Sequence, residues 1–133
     1  MSIRVVRLGK PRARDEGVRL GTVRRPPRGV KKTDFAKQDW YDVWLPDLAP
    51  SAQLVSWALT DDWTEQRWNR FRKAYLKEMK EATPSRLIIL LAALSRNSNF
   101  SVGCYCENES RCHRSILEDL LKDAGADMTA RSE

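Results

Sequence analysis

Phe100-Ser101-Val102-Gly103-Cys104-Tyr105-Cys106, then five residues, then Cys112-His113-Arg114-Ser115-Ile116-Leu117-Glu118-Asp119-Leu120-Leu121, is the segment whose reading decides the fold. The first run is short, uncharged and bounded by polar residues, as a buried strand is. The second repeats apolar residues at helical spacing and stops at Gly125, a residue suited to the left-handed backbone beyond a helix end. The pattern predicts a strand over Phe100–Cys106 and a helix over Cys112–Ala124. Upstream, Thr83-Pro84 opens a helix to about Arg96, with Leu87, Leu90, Leu91 and Leu94 expected to face a core. A helix, a strand and a helix in succession argue for an α/β domain.

Working outward, Trp68, Phe71, Tyr75 and Met79 follow one another at steps of three, four and four, marking an amphipathic helix introduced by Asp62-x-x-Glu65 as a capping box. Its other side carries Arg67, Arg70, Lys73, Lys77 and Lys80, which reads as a solvated face. Ser51 is placed to cap a short helix from Ala52 to Leu59. Trp40 to Leu45 is a short strand or an irregular aromatic segment. Ile3 to Leu8 and Gly17 to Val23 are β-branched and bounded by Gly and Pro, so both read as strands. The expected architecture is a single compact α/β domain, a small mostly parallel sheet flanked by helices, over residues 1–126, with 127–133 as a flexible tail.

Charge is unevenly placed. Residues 1–32 hold eleven basic side chains against two acids, a net of +9, while the remainder, with 13 basic and 16 acidic, is at -3. Such a segment favours an anionic partner, whether a phosphorylated small molecule or a nucleic acid, or else serves solubility. Its loop Arg24-Arg25-Pro26-Pro27-Arg28-Gly29 holds three arginines, whose forked geometry suits phosphate. The longest apolar run, Leu87 to Leu94, is too short to cross a membrane, which takes about 20 residues. No apolar signal region follows the Arg-rich amino terminus, and three cysteines crowded between 104 and 112 suit a reducing compartment, so a cytoplasmic location is expected.

Those cysteines stand beside the one histidine, beyond a strand and before a helix, where α/β proteins collect ligands and a helix amino terminus attracts anions. Strand alternation puts Cys104 and Cys106 on one face with Tyr105 opposite and Cys104 deeper. Helical spacing turns Cys112 and His113 toward the buried side and leaves Arg114 and Glu118 in a more exposed row. Three readings stand. A thiol, Cys106 or Cys112, and His113 form a nucleophile and base or an anion site, with Arg24, Arg28, Arg111 and Arg114 as ligand-binding cations. Alternatively Cys104, Cys106, Cys112 and His113 bind zinc, although adjacent Cys112 and His113 make a tetrahedral clasp awkward. In the third, the cysteines simply pack. A phosphatase-type loop is excluded, because neither Cys104 nor Cys106 stands the required distance before Arg111. The site is therefore expected without a metal or other cofactor, and the residues leave open whether it is catalytic.

Gly17-Val18-Arg19, Pro27-Arg28-Gly29-Val30, Trp44-Leu45-Pro46-Asp47-Leu48-Ala49-Pro50-Ser51, Trp68-x-x-Phe71-Arg72-x-x-Tyr75-Leu76 and Cys106-Glu107-Asn108-x-x-x-Cys112-His113-Arg114-Ser115 together resemble the bacterial YeaO-like family of domain of unknown function 488. The resemblance spans most of Ile3 to Ala124 and implies one α/β domain without an established reaction. Where that family usually has Val-Asp-Arg-Leu-Trp-Pro-Arg-Gly, this chain has Thr22-Val23-Arg24-Arg25-Pro26-Pro27-Arg28-Gly29, lacking the acid and the aromatic. The family commonly keeps the histidine without the three thiols, which implies His113 with Arg24 and Arg28 as the common element. Two non-enzymatic alternatives stand beside an anion pocket: nucleic-acid binding through the basic surface, with Trp40 or Trp63 for base stacking, and a scaffold docking an acidic protein.

Overall fold

Phe100–Cys104 is the strand around which the sheet is built, and all five of its residues are buried. It is β4 of a computed structural model that describes residues 1–106, 108 and 111–129. The other strands are β1 (Ile3–Arg7), β2 (Val18–Gly21) and β3 (Val43–Trp44), and the helices are α1 (Ala52–Ala58), α2 (Glu65–Met79), α3 (Ala82–Leu94) and α4 (His113–Asp123). The sheet order is β1-β4-β2-β3, with every pairing parallel. Ile3 lies opposite Phe100 on one side of β4, and Val18 opposite the same residue on the other. All strands therefore point their carboxyl ends the same way. The strand expected to reach Cys106 stops at Cys104, where β1 and β2 also run out of partners.

Helix ends follow local chemistry. Ser51 caps α1 by accepting the Leu54 N–H. The expected box at Asp62 is not used: Thr64 caps α2 by accepting the Arg67 N–H, so the helix starts at Glu65, two residues later than a cap at Asp62 would start it. Helix α3 begins at Ala82 rather than at Pro84 and buries Pro84, Ile88, Leu91 and Ala92. Leu90 and Leu94, expected in the core, are exposed with Ile89, because the face of α3 that carries Ile88, Leu91 and Ala92 is the one turned inward where the helix packs on α4 and α2. Helix α2 buries Trp68, Phe71, Tyr75 and Met79 as the spacing requires, and Tyr75 donates its hydroxyl proton to the Leu48 carbonyl at 2.7 Å. Gly125, at φ +90°, ends the last helix. Beyond it, the Ile3 N–H donates to Asp127 O and the Thr129 N–H to Ile3 O, so residues 127–129 of the expected tail lie along the β1 edge.

At the amino-terminal end of β2, Arg19 and Glu16 are both buried. Arg19 Nε and Nη2 donate to the two Glu16 carboxylate oxygens at 2.7 and 2.9 Å, and Nη1 donates to the carbonyls of Lys10 and Asp39. Ser101 of β4 donates its hydroxyl proton to the same carboxylate at 2.7 Å. Burial alone would raise the Glu16 carboxyl, but the bonds from Arg19, Ser101 and the Ala13 N–H hold it below its ordinary value. A buried pair of this kind is stable only when fully hydrogen-bonded, and losing one partner costs about 3–5 kcal/mol.

Candidate functional site

Beyond the carboxyl ends of the strands lies an open groove of about 1470 Å³. One wall is apolar, made by Val55, Ala58 and Leu59 of the α1 region with Trp63 and Phe71. The other carries Arg7, Lys10, Arg24, Arg25, Arg28 and Arg111, and no described lining residue is acidic. Cys104, Cys106, Cys112 and His113 form its floor at the strand-to-helix step.

The basic loop is held in place by main-chain bonds. Arg24 Nε donates to Pro50 O at 2.9 Å and its Nη2 to Pro46 O and Ala49 O, so this guanidinium fastens the loop to the start of α1. The Tyr105 hydroxyl donates to Arg25 O at 2.9 Å, joining the same loop to the segment after β4. Arg25 and Arg28 extend from it, exposed. Arg111 lies with its guanidinium 5.5 Å from the Trp68 ring centroid, within cation–π reach.

His113, the first residue of α4, is buried, and its Nε2 lies 2.6 Å from the Thr22 carbonyl. A carbonyl only accepts, so Nε2 bears the proton and Nδ1 keeps its lone pair. Burial pulls the imidazole down to about 4, against the Thr22 bond and with the help of Arg114. The Thr22 carbonyl thus orients the ring where an acid is missing at Val23. Tyr75 backs it, ring centroids 5.6 Å apart. Cys112 caps α4, and its Sγ lies 3.7 Å from His113 Nδ1.

The sulfur atoms of Cys104, Cys106 and Cys112 all lie within 4.8 Å of one another. Cys104 and Cys112 are buried and paired sulfur to sulfur, whereas Cys106 is the free, exposed thiol. Desolvation by surrounding protein raises the Cys106 thiol above its ordinary value, and the positive charges of Arg114 and Arg7 act against it.

Of the residues singled out in the sequence, Arg24, Arg28, Arg111, Cys106, Cys112 and His113 share the groove lining, and Arg114 does not. Arg114 and Glu118, expected in an exposed row, are buried. Arg114 Nη1 donates to Val6 O at 2.9 Å and its Nη2 to Cys106 O at 3.0 Å, bracing the turn that follows β4. Helix α4 packs on both the sheet and α3, which buries the row that carries Arg114 and Glu118. Arg25, one of the three arginines of the loop after β2, lines the groove as well, and Arg7 and Lys10 are groove cations that no motif singled out; the signal available for them was their place at the end of β1. Glu107, which belongs to the Cys-Glu-Asn part of the family signature, lies outside the described residues.

Residues 3–125 match the family described as the active DUF488-N3 subclade. The chain is 27% identical over 122 residues to the uncharacterized protein YeaO of Escherichia coli (strain K12), covering 92% of this chain and 98% of that protein. No solved structure matches.

Proposed function

The chain belongs to the YeaO-like DUF488 family, and from that premise we propose that its groove binds a phosphorylated or otherwise anionic small molecule. The observation that carries the reading is a described lining with six cationic side chains and no carboxylate. Arg28, Arg25, Lys10 and Arg111 make no salt bridge to a described residue, unlike Arg4 and Arg12, so their charge is available to a ligand. The amino terminus of α4 opens nearby and adds the positive end of a helix dipole. The apolar wall of Val55, Leu59 and Trp63 would take the uncharged part of the ligand. That the matched subclade is described as active supports extending the reading from binding to chemistry, with Cys106 as the accessible thiol. Calorimetric titration of pyrophosphate and of a nucleoside monophosphate tests it. Binding should weaken about tenfold or more in Arg28→Ala and in Arg111→Ala; equal affinity in the wild type and the double variant would refute the reading.

Groove size favours one alternative, since pockets for small ligands usually enclose about 300–1,000 Å³. A single-stranded nucleic acid could lie along it, with phosphates on Arg25 and Arg28 and a base against Trp40. Oligonucleotide affinity falling steeply with salt, far more steeply than that of the mononucleotide, would select this alternative.

A further inference from the structure

We propose that Cys104, Cys106 and Cys112, in their reduced form, hold a thiophilic divalent cation of the zinc class, with His113 Nδ1 as the fourth donor. The three sulfur atoms already converge within 4.8 Å of one another, from the end of β4, the turn after it and the cap of α4. Cys104 is held by sheet pairing and Cys112 by its place at the start of α4, while the main chain at Cys106 is braced by the bond from Arg114 to its carbonyl. The fourth donor lies beside Cys112 and outside the set of three sulfurs that are mutually within 4.8 Å, so it is oriented by its neighbours and closes on the metal only as the metal binds. With its Nε2–H committed to the Thr22 carbonyl, His113 presents a bare Nδ1 lone pair 3.7 Å from Cys112 Sγ. Around a tetrahedral zinc with Zn–S of about 2.3 Å and Zn–N of about 2.0–2.1 Å, neighbouring sulfur and nitrogen stand about 3.6 Å apart. A ligating histidine whose other nitrogen is held by a carbonyl is the usual outer arrangement of such centres.

The adjacency of Cys112 and His113 is accommodated by the backbone. Cys112 is extended, at φ -131° and ψ 147°, while His113 is helical, and both side chains reach the groove floor. Three thiolates around a divalent cation carry one net negative charge, and Arg7, Arg111 and Arg114 lie close enough to balance it. The paired form of Cys104 and Cys112 offers no thiolate, so binding requires its two-electron reduction by an added thiol or phosphine. Each of the three thiols then releases its proton to solvent as the metal binds.

The test uses the full chain, reduced with a phosphine and kept anaerobic. Titration with Co²⁺ should saturate at one equivalent with sulfur-to-cobalt charge-transfer absorption and the ligand-field pattern of a tetrahedral site, and Zn²⁺ should displace it. One equivalent of Zn²⁺ should protect all three cysteines from alkylation. Cys106→Ser, which alters an exposed side chain, should lower Co²⁺ affinity by at least ~100-fold, beyond the 10–100-fold typical of losing an outer partner. Full alkylation in the presence of Zn²⁺, protection of only Cys104 and Cys112, or wild-type affinity in Cys106→Ser would each overturn the proposal. The site shares the groove with the proposed anion but is independent of it: pyrophosphate titrated into the wild-type chain, reduced and freed of metal by a chelator that is then removed, decides the anion reading separately.

Discussion

At the amino-terminal end of β2 the cations are matched by acids, and at its carboxyl end they are not. Arg19 is closed in by two carbonyls and by Glu16, whose carboxylate also accepts from Ser101, while Arg4 and Arg12 face Asp15, Asp39 and Asp42. A few residues on, Arg25 and Arg28 stand in the groove without a described carboxylate. The two groups come from one basic segment and are alike in composition. Their difference shows that net charge along a chain locates neither a structural ion pair nor a ligand cation. Position on the sheet does, because the lower end is sealed by the loops before β2 and the upper end stays open.

The sharpest way to break this contrast is at the sealed end. Glu16→Ala leaves a buried guanidinium with an unmatched charge and should cost about 3–5 kcal/mol in urea unfolding; a loss below about 1 kcal/mol would place Arg19 among the solvated cations. Arg114→Ala removes two charge-assisted bonds to Val6 O and Cys106 O and should cost about 1.5–3 kcal/mol. It should also speed alkylation of Cys106, because the turn carrying that thiol loses its brace. Arg28→Ala at the open end should change stability by no more than about 0.5 kcal/mol while weakening pyrophosphate binding as described above. A destabilisation like that of Glu16→Ala would erase the distinction between the two ends. The smallest effect is in pH. Because the folded state holds the Glu16 carboxyl below its ordinary value of 4.5, its contribution to stability is complete above that value. It is lost as pH falls further, through the folded value. Glu16→Gln should flatten this acid limb of the unfolding curve, and an unchanged limb would assign it to other carboxylates.

Much of the fold was legible because periodicity reports burial directly. The Trp68, Phe71, Tyr75 and Met79 stripe, the Ser51 cap and the Gly125 stop each depend on residues close in sequence. Helix α3 was harder, since Leu87 to Leu94 is apolar on all sides and only packing on α4 selects Ile88 and Leu91 over Leu90 and Leu94. The floor of the candidate site was also readable, as every sulfur and His113 lie within ten residues. What the sequence could not supply was long-range pairing. Arg114 had no visible partner because its acceptors are carbonyls of β1 and of the turn beyond β4. The tautomer of His113 depends on Thr22, 91 residues away, through a main-chain atom that every residue type possesses.

The strand order carries a further consequence for how the chain is made. The ladder partner of β1 is β4, which is also the inner partner of β2, and β4 is the last strand to leave the ribosome. Until residue 104 emerges, the first two strands have open flanks and no hydrophobic layer to close them. Vectorial synthesis therefore leaves the basic amino-terminal segment waiting for β4, and charged side chains such as Arg4, Arg7 and Arg19 along unpaired strands oppose pairing between chains. With β4 pairing to two strands near the start of the chain, slow, late and all-at-once closure of the sheet is the kinetic signature expected of this topology.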